Sequence, residues 1–125
     1  LLINLPKMRV ELFYRDQGKK EHVFAKDYPI RKLETGRIRR GHHQTKISQK
    51  HGYLGGKTYP PTHQSYRHAS KVLGLRLSRS MVQLRPLSGN EDVDSGSGVF
   101  LASSDMEELS MLIRVGNEVE VRIAR

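Results

Sequence analysis

The 125-residue chain contains no cysteine and no tryptophan. The first absence excludes disulfides, thiolate nucleophiles and cysteine-ligated zinc, and it suits a reducing compartment, so a cytoplasmic location is expected. Long apolar runs are missing as well. The longest, Leu1 to Leu5, is interrupted by Asn4 and followed by Pro6 and Lys7. It falls far short of the roughly 18 residues of a spanning helix and is too short for a secretory signal, so no membrane partner is expected. Acidic residues are scarce where basic ones are dense. Lys and Arg number 22 against 13 Asp and Glu, a formal charge of +9. Between Lys26 and Arg85 stand fourteen of those 22 cations and only two acids, Asp27 and Glu34.

A chain of this size forms one domain with one modest core. Leu1 to Lys7, which precede the first methionine, are set apart as an N-terminal extension of unread role, leaving residues 8–125 as the domain. Its concentrated positive charge calls for a polyanionic partner. The densest piece is Arg37-Ile38-Arg39-Arg40-Gly41-His42-His43, followed by Lys46, Lys50 and Lys57. Such a segment contacts phosphates, and its glycines let the backbone approach the polyanion. Tyr53, Tyr59 and Tyr66 are interleaved with it and could stack on bases or pack on sugars. A surface of Lys, Arg, Ser and Gln reads phosphates and 2′-hydroxyls rather than base edges, which predicts shape recognition of double-stranded RNA. Gln83 and Arg85, with Ser78 and Ser80, form a polar row suited to lie along an RNA minor groove. The alternative is a structural RNA-binding protein, a ribosomal or nucleoprotein component whose basic loop orders on RNA.

Hydrophobic periodicity predicts a hairpin from Met8 to Phe24, turning at Asp16-Gln17-Gly18-Lys19. Lys26 to Tyr66, poor in apolar residues and rich in Gly, reads as loop or short helix. Tyr66, Ala69, Val72 and Leu73 fall at helical spacing, giving a helix over 64–73 that Gly74 would cap. Ser80 to Leu87 alternates as a strand that Pro86 ends or places at an edge. After a Gly/Ser/Asp loop, Val99 to Ala102 reads as the returning strand of a hairpin. Ser104 or Asp105 then caps a helix running through Val115, with Met106, Leu109, Leu112 and Ile113 on its apolar face. The segment from Glu118 to Arg125 fits either a strand or a continuation of the helix.

Signatures of catalysis are missing. The six histidines lack the spacing of a zinc helix, and no nucleophile, base and orienting carboxylate stand at telling intervals. Gly52 to Thr58 ends like a phosphate loop without its glycine spacing. A non-enzymatic protein without metal or cofactor is the expectation.

Laid out in order, the second half resembles the tombusvirus p19-type suppressors of RNA silencing, in particular their shorter aureusvirus relatives. The residues that carry the resemblance are Tyr66, Ala69-Ser70-Lys71, Gly74, Gln83-Leu84-Arg85, and Gly98-Val99-Phe100-Leu101-Ala102-Ser103-Ser104 leading to Leu109 and Ile113. Upstream, Val23-Phe24, Lys26 and Arg39 to Gly41 look like that family's basic strand and helix. The resemblance implies an α+β fold, a small antiparallel sheet with flanking helices, extended across a homodimer into a cradle for short RNA duplexes. Such a viral protein would sequester small interfering RNA in the host cytoplasm. By position, Lys26, Arg39, Lys71, Gln83, Arg85 and Ser104 are the implied RNA contacts, joined by Arg37, Arg40, Lys46 and Lys57 from the charge pattern. Leu109, Leu112 and Ile113 are the implied dimer interface. The family brackets duplex ends with tryptophans, so a chain without tryptophan should bind with weak length selectivity.

Overall fold

The computed structural model describes residues 1–15, 18, 21–34, 41–77, 80–88 and 98–123. Among these residues nine strands run in the order β1 (Leu2–Asn4), β2 (Arg9–Arg15), β3 (His22–Glu34), β4 (Gly41–Leu54), β5 (Lys57–Tyr59), β6 (Ser70–Leu77), β7 (Ser80–Leu87), β8 (Gly98–Ala102) and β9 (Glu118–Ile123). A 3₁₀ turn, Gln64–His68, precedes β6, and among the described residues one helix, α1 (Ser103–Leu112), follows β8 directly. In the sheet, β4, β6, β7, β8, β3, β2, β1 and β9 are neighbours in that order, and β9 pairs back onto β4, so eight strands close into a barrel. The short β5 hangs from β4 through a turn in which Gly55 and Gly56 both take positive φ (58° and 80°), the backbone that two-residue hairpins favour.

Period-two alternation fills the interior. Val10, Tyr28, Ile30, Ile47, Leu73, Leu75, Leu77, Val82, Leu84, Val99, Leu101, Val119 and Val121 all belong to one buried cluster. From α1 come Met106 and Leu109, and just beyond its end Ile113, which close one end of the barrel. Each fully buried aliphatic side chain here contributes about 1.5–3 kcal/mol.

The anticipated α+β fold with an open sheet and flanking helices is therefore incorrect. Closure through β9 and β4 leaves no main sheet edge to extend across a dimer, and the wall is convex rather than a cradle. Leu109 (0% exposed) and Ile113 (4%) are core residues of the chain itself, which removes them from any dimer interface. Leu112, 54% exposed, is the one member of that trio at the surface.

Three local readings fail for the same reason: tertiary pairing overrides local spacing. The expected helix over 64–73 is a 3₁₀ turn followed by β6, because Leu73, Leu75 and Leu77 alternate into the barrel. Gly74 is mid-strand and not a cap; a Cβ there would lie 3.2 Å from the Cβ of Gln49 on β4. The supposed loop from Lys26 to Tyr66 holds much of β3 and all of β4, whose exposed His42, Gln44, Lys46 and Ser48 hid a strand with a polar outer face.

β8 pairs with β7 in parallel, so it is no hairpin return. Helix α1 starts at Ser103 with no side-chain cap and ends at Leu112, short of Val115. The hairpin of β2 and β3 and the strand Ser80–Leu87 match the sequence reading. Pro86 does not end the strand, which runs on to Leu87 with Pro86 opposite Leu101 on β8, although Pro86 lies beyond Leu84, the last β7 residue paired with β6. Gly116, at φ 94°, turns the chain into β9, resolving the C-terminal ambiguity as strand. Leu2–Asn4 pairs with both β2 and β9, so the N-terminal stretch is part of the barrel wall. Among the described residues no helix is long and apolar enough to cross a membrane.

Candidate nucleic-acid interface

On the outer face of β3, β8 and β7 the register sets Lys32, Phe100 and Arg85 side by side across three strands. Phe100 faces away from the interior cluster that holds its neighbours Val99 and Leu101, yet it is completely buried by what surrounds it. From the two flanking strands, the Lys32 Nζ lies 5.3 Å and the Arg85 Cζ 5.0 Å from the ring centroid. Both distances suit cation–π attraction, worth about 0.5–2 kcal/mol, and the apolar stems of the cations cover the ring. Both side chains are also held by other contacts.

Glycine makes this arrangement possible. Gln83 lies beside Gly98 on β8, one register step from Arg85, and Gly74 lies on its other side. A Cβ at Gly98 would stand 2.9 Å from the Arg85 Cδ, 3.2 Å from the Gln83 carbonyl and 3.4 Å from the Phe100 ring. Without a side chain there, the Arg85 stem crosses β8 toward the ring. Both glycines are buried, with Gln49 and Met81 packed over Gly74 and with Arg85 and Phe100 packed over Gly98, so the outer face here is a closely packed row of Gln83, Arg85, Phe100 and Lys32. Arg76, exposed on β6 opposite Met81, adds charge to this side.

The other anticipated contacts are dispersed. Arg37, Arg39 and Arg40 lie outside the described residues. Lys46 is exposed, but its β9 neighbour is Glu118. Further along the same ladder Glu120 accepts from His42 at 3.0 Å and lies 3.7 Å from Arg122. This part of the wall carries interleaved charges of both signs. Lys57 is exposed on β5 and Ser104 in the first turn of α1, each away from the aromatic row.

Lys26 and Lys71 are engaged in holding α1. The Lys26 ammonium donates to both carboxylate oxygens of Glu108, at 2.9 and 2.7 Å, and this bond raises its pKa. Lys71 is 6% exposed; its ammonium donates to the carbonyls of Tyr66 (2.6 Å), Ala69 (2.8 Å) and Arg67 (3.4 Å) and lies 3.5 Å from Glu107. The expected RNA contact at Lys71 is accordingly corrected to an internal clasp: three carbonyl acceptors saturate its donors. Lys50 completes the set, donating to the Ile113 carbonyl at 3.0 Å, and burial, with Arg114 nearby, lowers its pKa.

Of this row the sequence reading named Gln83 and Arg85 as contacts, and not Lys32 or Phe100. The missed signal was available in the strand alternation of Val99, Phe100 and Leu101: in a strand buried on its inner side, the ring between two core residues faces outward. Among the described residues no group of three or more His, Asp or Glu is placed to hold a metal ion. No family model, no curated protein and no solved structure matches this chain.

Proposed function

We propose that this chain binds RNA through phosphate and sugar groups on the outer face of β3, β8 and β7, with double-stranded RNA as the form it takes up. The observation that carries the proposal is the Lys32–Phe100–Arg85 row. Two cations from alternate strands, about 10 Å apart at the backbone, are pre-positioned by one ring beside the half-buried Gln83. Holding the side chains in advance lowers the ordering cost of binding. Gln83 offers both a donor and an acceptor to a 2′-hydroxyl.

A convex wall touches a duplex from one side and, among the described residues, has nothing to bracket its ends. Recognition by charge and shape therefore tolerates duplex length. Sequestering short RNA duplexes, the role implied by the resemblance to silencing suppressors, would follow from occupancy of their backbones by this face.

The test is a gel-shift series with short RNA duplex, long RNA duplex, DNA duplex, single-stranded RNA and a dinucleotide, each at two salt concentrations. Both RNA duplexes should bind and the other three should bind more weakly. With Lys32, Arg85 and Arg76 as contacts, the logarithm of affinity should fall with the logarithm of salt with a slope of about 2 to 3. Equal binding of all five ligands, or no loss of affinity in Arg85→Ala, would refute the reading.

A further inference from the structure

Two of the strands that frame the outer face carry a register shift, β3 between Ile30 and Lys32 and β4 between Ile47 and Gln49. In an unbroken strand, residues two apart share a face. Here Ile30 and Ile47 point into the core, whereas Lys32 lies over the Phe100 ring and Gln49 over Gly74, both on the outside. Each shift adds one residue to its strand and re-aims the side chains beyond it, as bulges do where a functional side chain must be turned. Those turned outward are Lys32 and Glu34 on β3 and Gln49 on β4. With them the wall falls into rows. Next to Lys32, Phe100 and Arg85 runs a second row across five strands: Glu34, Gly98, Gln83, Gly74 and Gln49. Its three long side chains stand on alternate strands, about 10 Å apart at the backbone. The Gln49 Oε1 would lie 3.3 Å from a Cβ at Gly74, so this amide rests against β6 although its residue is exposed.

We propose that Gln49 and Gln83 read ribose 2′-hydroxyls and that their row selects RNA over DNA. None of its five residues is a cation. An amide both donates to and accepts from a hydroxyl, and the exposed carboxylate of Glu34 accepts from a hydroxyl but repels a phosphate. Cations border the row on both sides: Lys32 and Arg85 lie about 7 Å along the strands in one direction and Arg76 about as far in the other. A line of hydroxyl-binding groups between two lines of phosphate-binding groups matches the wide, shallow minor groove of A-form RNA, which displays its 2′-hydroxyls between two phosphate backbones. This selection rests on the RNA-binding reading above. To that reading it adds Gln49 and a means of discrimination, direct contact with the hydroxyl where charge and shape alone would accept any A-form duplex.

Three duplexes of one sequence separate hydroxyl from shape: RNA, 2′-fluoro RNA, which keeps the A-form but has no hydroxyl to donate, and DNA. Affinities are measured by fluorescence anisotropy for the full-length chain and for the double variant Gln49→Leu, Gln83→Leu. The unmodified chain should bind RNA roughly tenfold more tightly than 2′-fluoro RNA, the worth of about two hydrogen bonds. The double variant should bind those two equally, with its salt slope unchanged because no phosphate contact is lost. Gln49→Leu alone, at an exposed position, should reduce the preference to roughly threefold, and it carries the test if the double variant does not fold. Equal binding of RNA and 2′-fluoro RNA by the unmodified chain would overturn the inference, as would a double variant that keeps the full preference; in both cases RNA binding itself still stands. An unmodified chain that binds none of the three duplexes overturns both.

Discussion

Lys71 and Lys32 both lie beside an aromatic ring, 4.6 Å from Tyr66 and 5.3 Å from Phe100. Lys71 is buried under the 3₁₀ turn with its ammonium ringed by carbonyls, one of three lysines that fasten α1 and its surroundings to the barrel. Lys32 stands on the outer wall, half-buried, and with Arg85 lies over the Phe100 ring. The pair teaches that a cation count says little about binding capacity. A lysine whose donors are filled by main-chain carbonyls is structural even when an anion-binding segment surrounds it in sequence.

The largest effect that would break this comparison is at Lys71. Lys71→Met leaves up to three carbonyls without their donor, and unfolding in denaturant should show a loss of about 2–3 kcal/mol, with RNA affinity of the folded protein unchanged. A stable variant with weakened RNA binding would reverse the roles assigned to the two regions. Next in size, Arg85→Ala should weaken RNA binding roughly tenfold and reduce the salt slope by about one while the melting temperature moves little; Lys46→Ala should leave both nearly as they were. Fluorescence anisotropy across a salt series measures the two variants together.

Gly98→Ala sharpens the same contrast. Its new Cβ would meet the Arg85 stem at 2.9 Å, so Arg85 must leave the ring. Affinity should fall severalfold, short of the Arg85→Ala effect, and the stability loss should stay below that of Lys71→Met.

The smallest effect concerns pH. His51 on β4 has its pKa lowered from 6.5 by burial. The unfolded chain therefore takes up a proton near 6.5 that the folded chain resists, so stability is full above that value and declines as pH falls through it toward the folded pKa. Melting temperatures between pH 8 and 5 should fall less steeply for His51→Gln than for the unmodified chain, and an unchanged slope would remove His51 from the acid response.

Legibility in the sequence followed the range of the interactions. Hairpin β2–β3 and strand β7 were legible because alternation and turn residues are local. Strand β4 was not, since its outer face carries His42, Gln44, Lys46 and Ser48 and its inner face offers mainly Ile47 to a periodicity search. Strand β6 was misread because Tyr66, Ala69, Val72 and Leu73 fit a helical spacing as well as the opening of a strand, and only pairing with β4 and β7 decides between them. At the candidate site, Gln83 and Arg85 emerged from alternation within one strand. Lys32 and Phe100 needed the register of three.

By itself the sequence determined a strongly basic, cysteine-free chain whose positive charge is concentrated between Lys26 and Arg85, because composition and charge order do not depend on folding. Only the tertiary structure decided which of those charges face outward. Closing β9 onto β4 turned the sheet into a barrel and set Glu118 and Glu120 against the basic strand, while the 3₁₀ turn closed over Lys71. Pairing of β8 with both β3 and β7 brought Lys32 and Arg85, far apart in sequence, over a single ring. Such pairings are set by strand register between distant segments, and register is fixed by the shared core that the segments bury together.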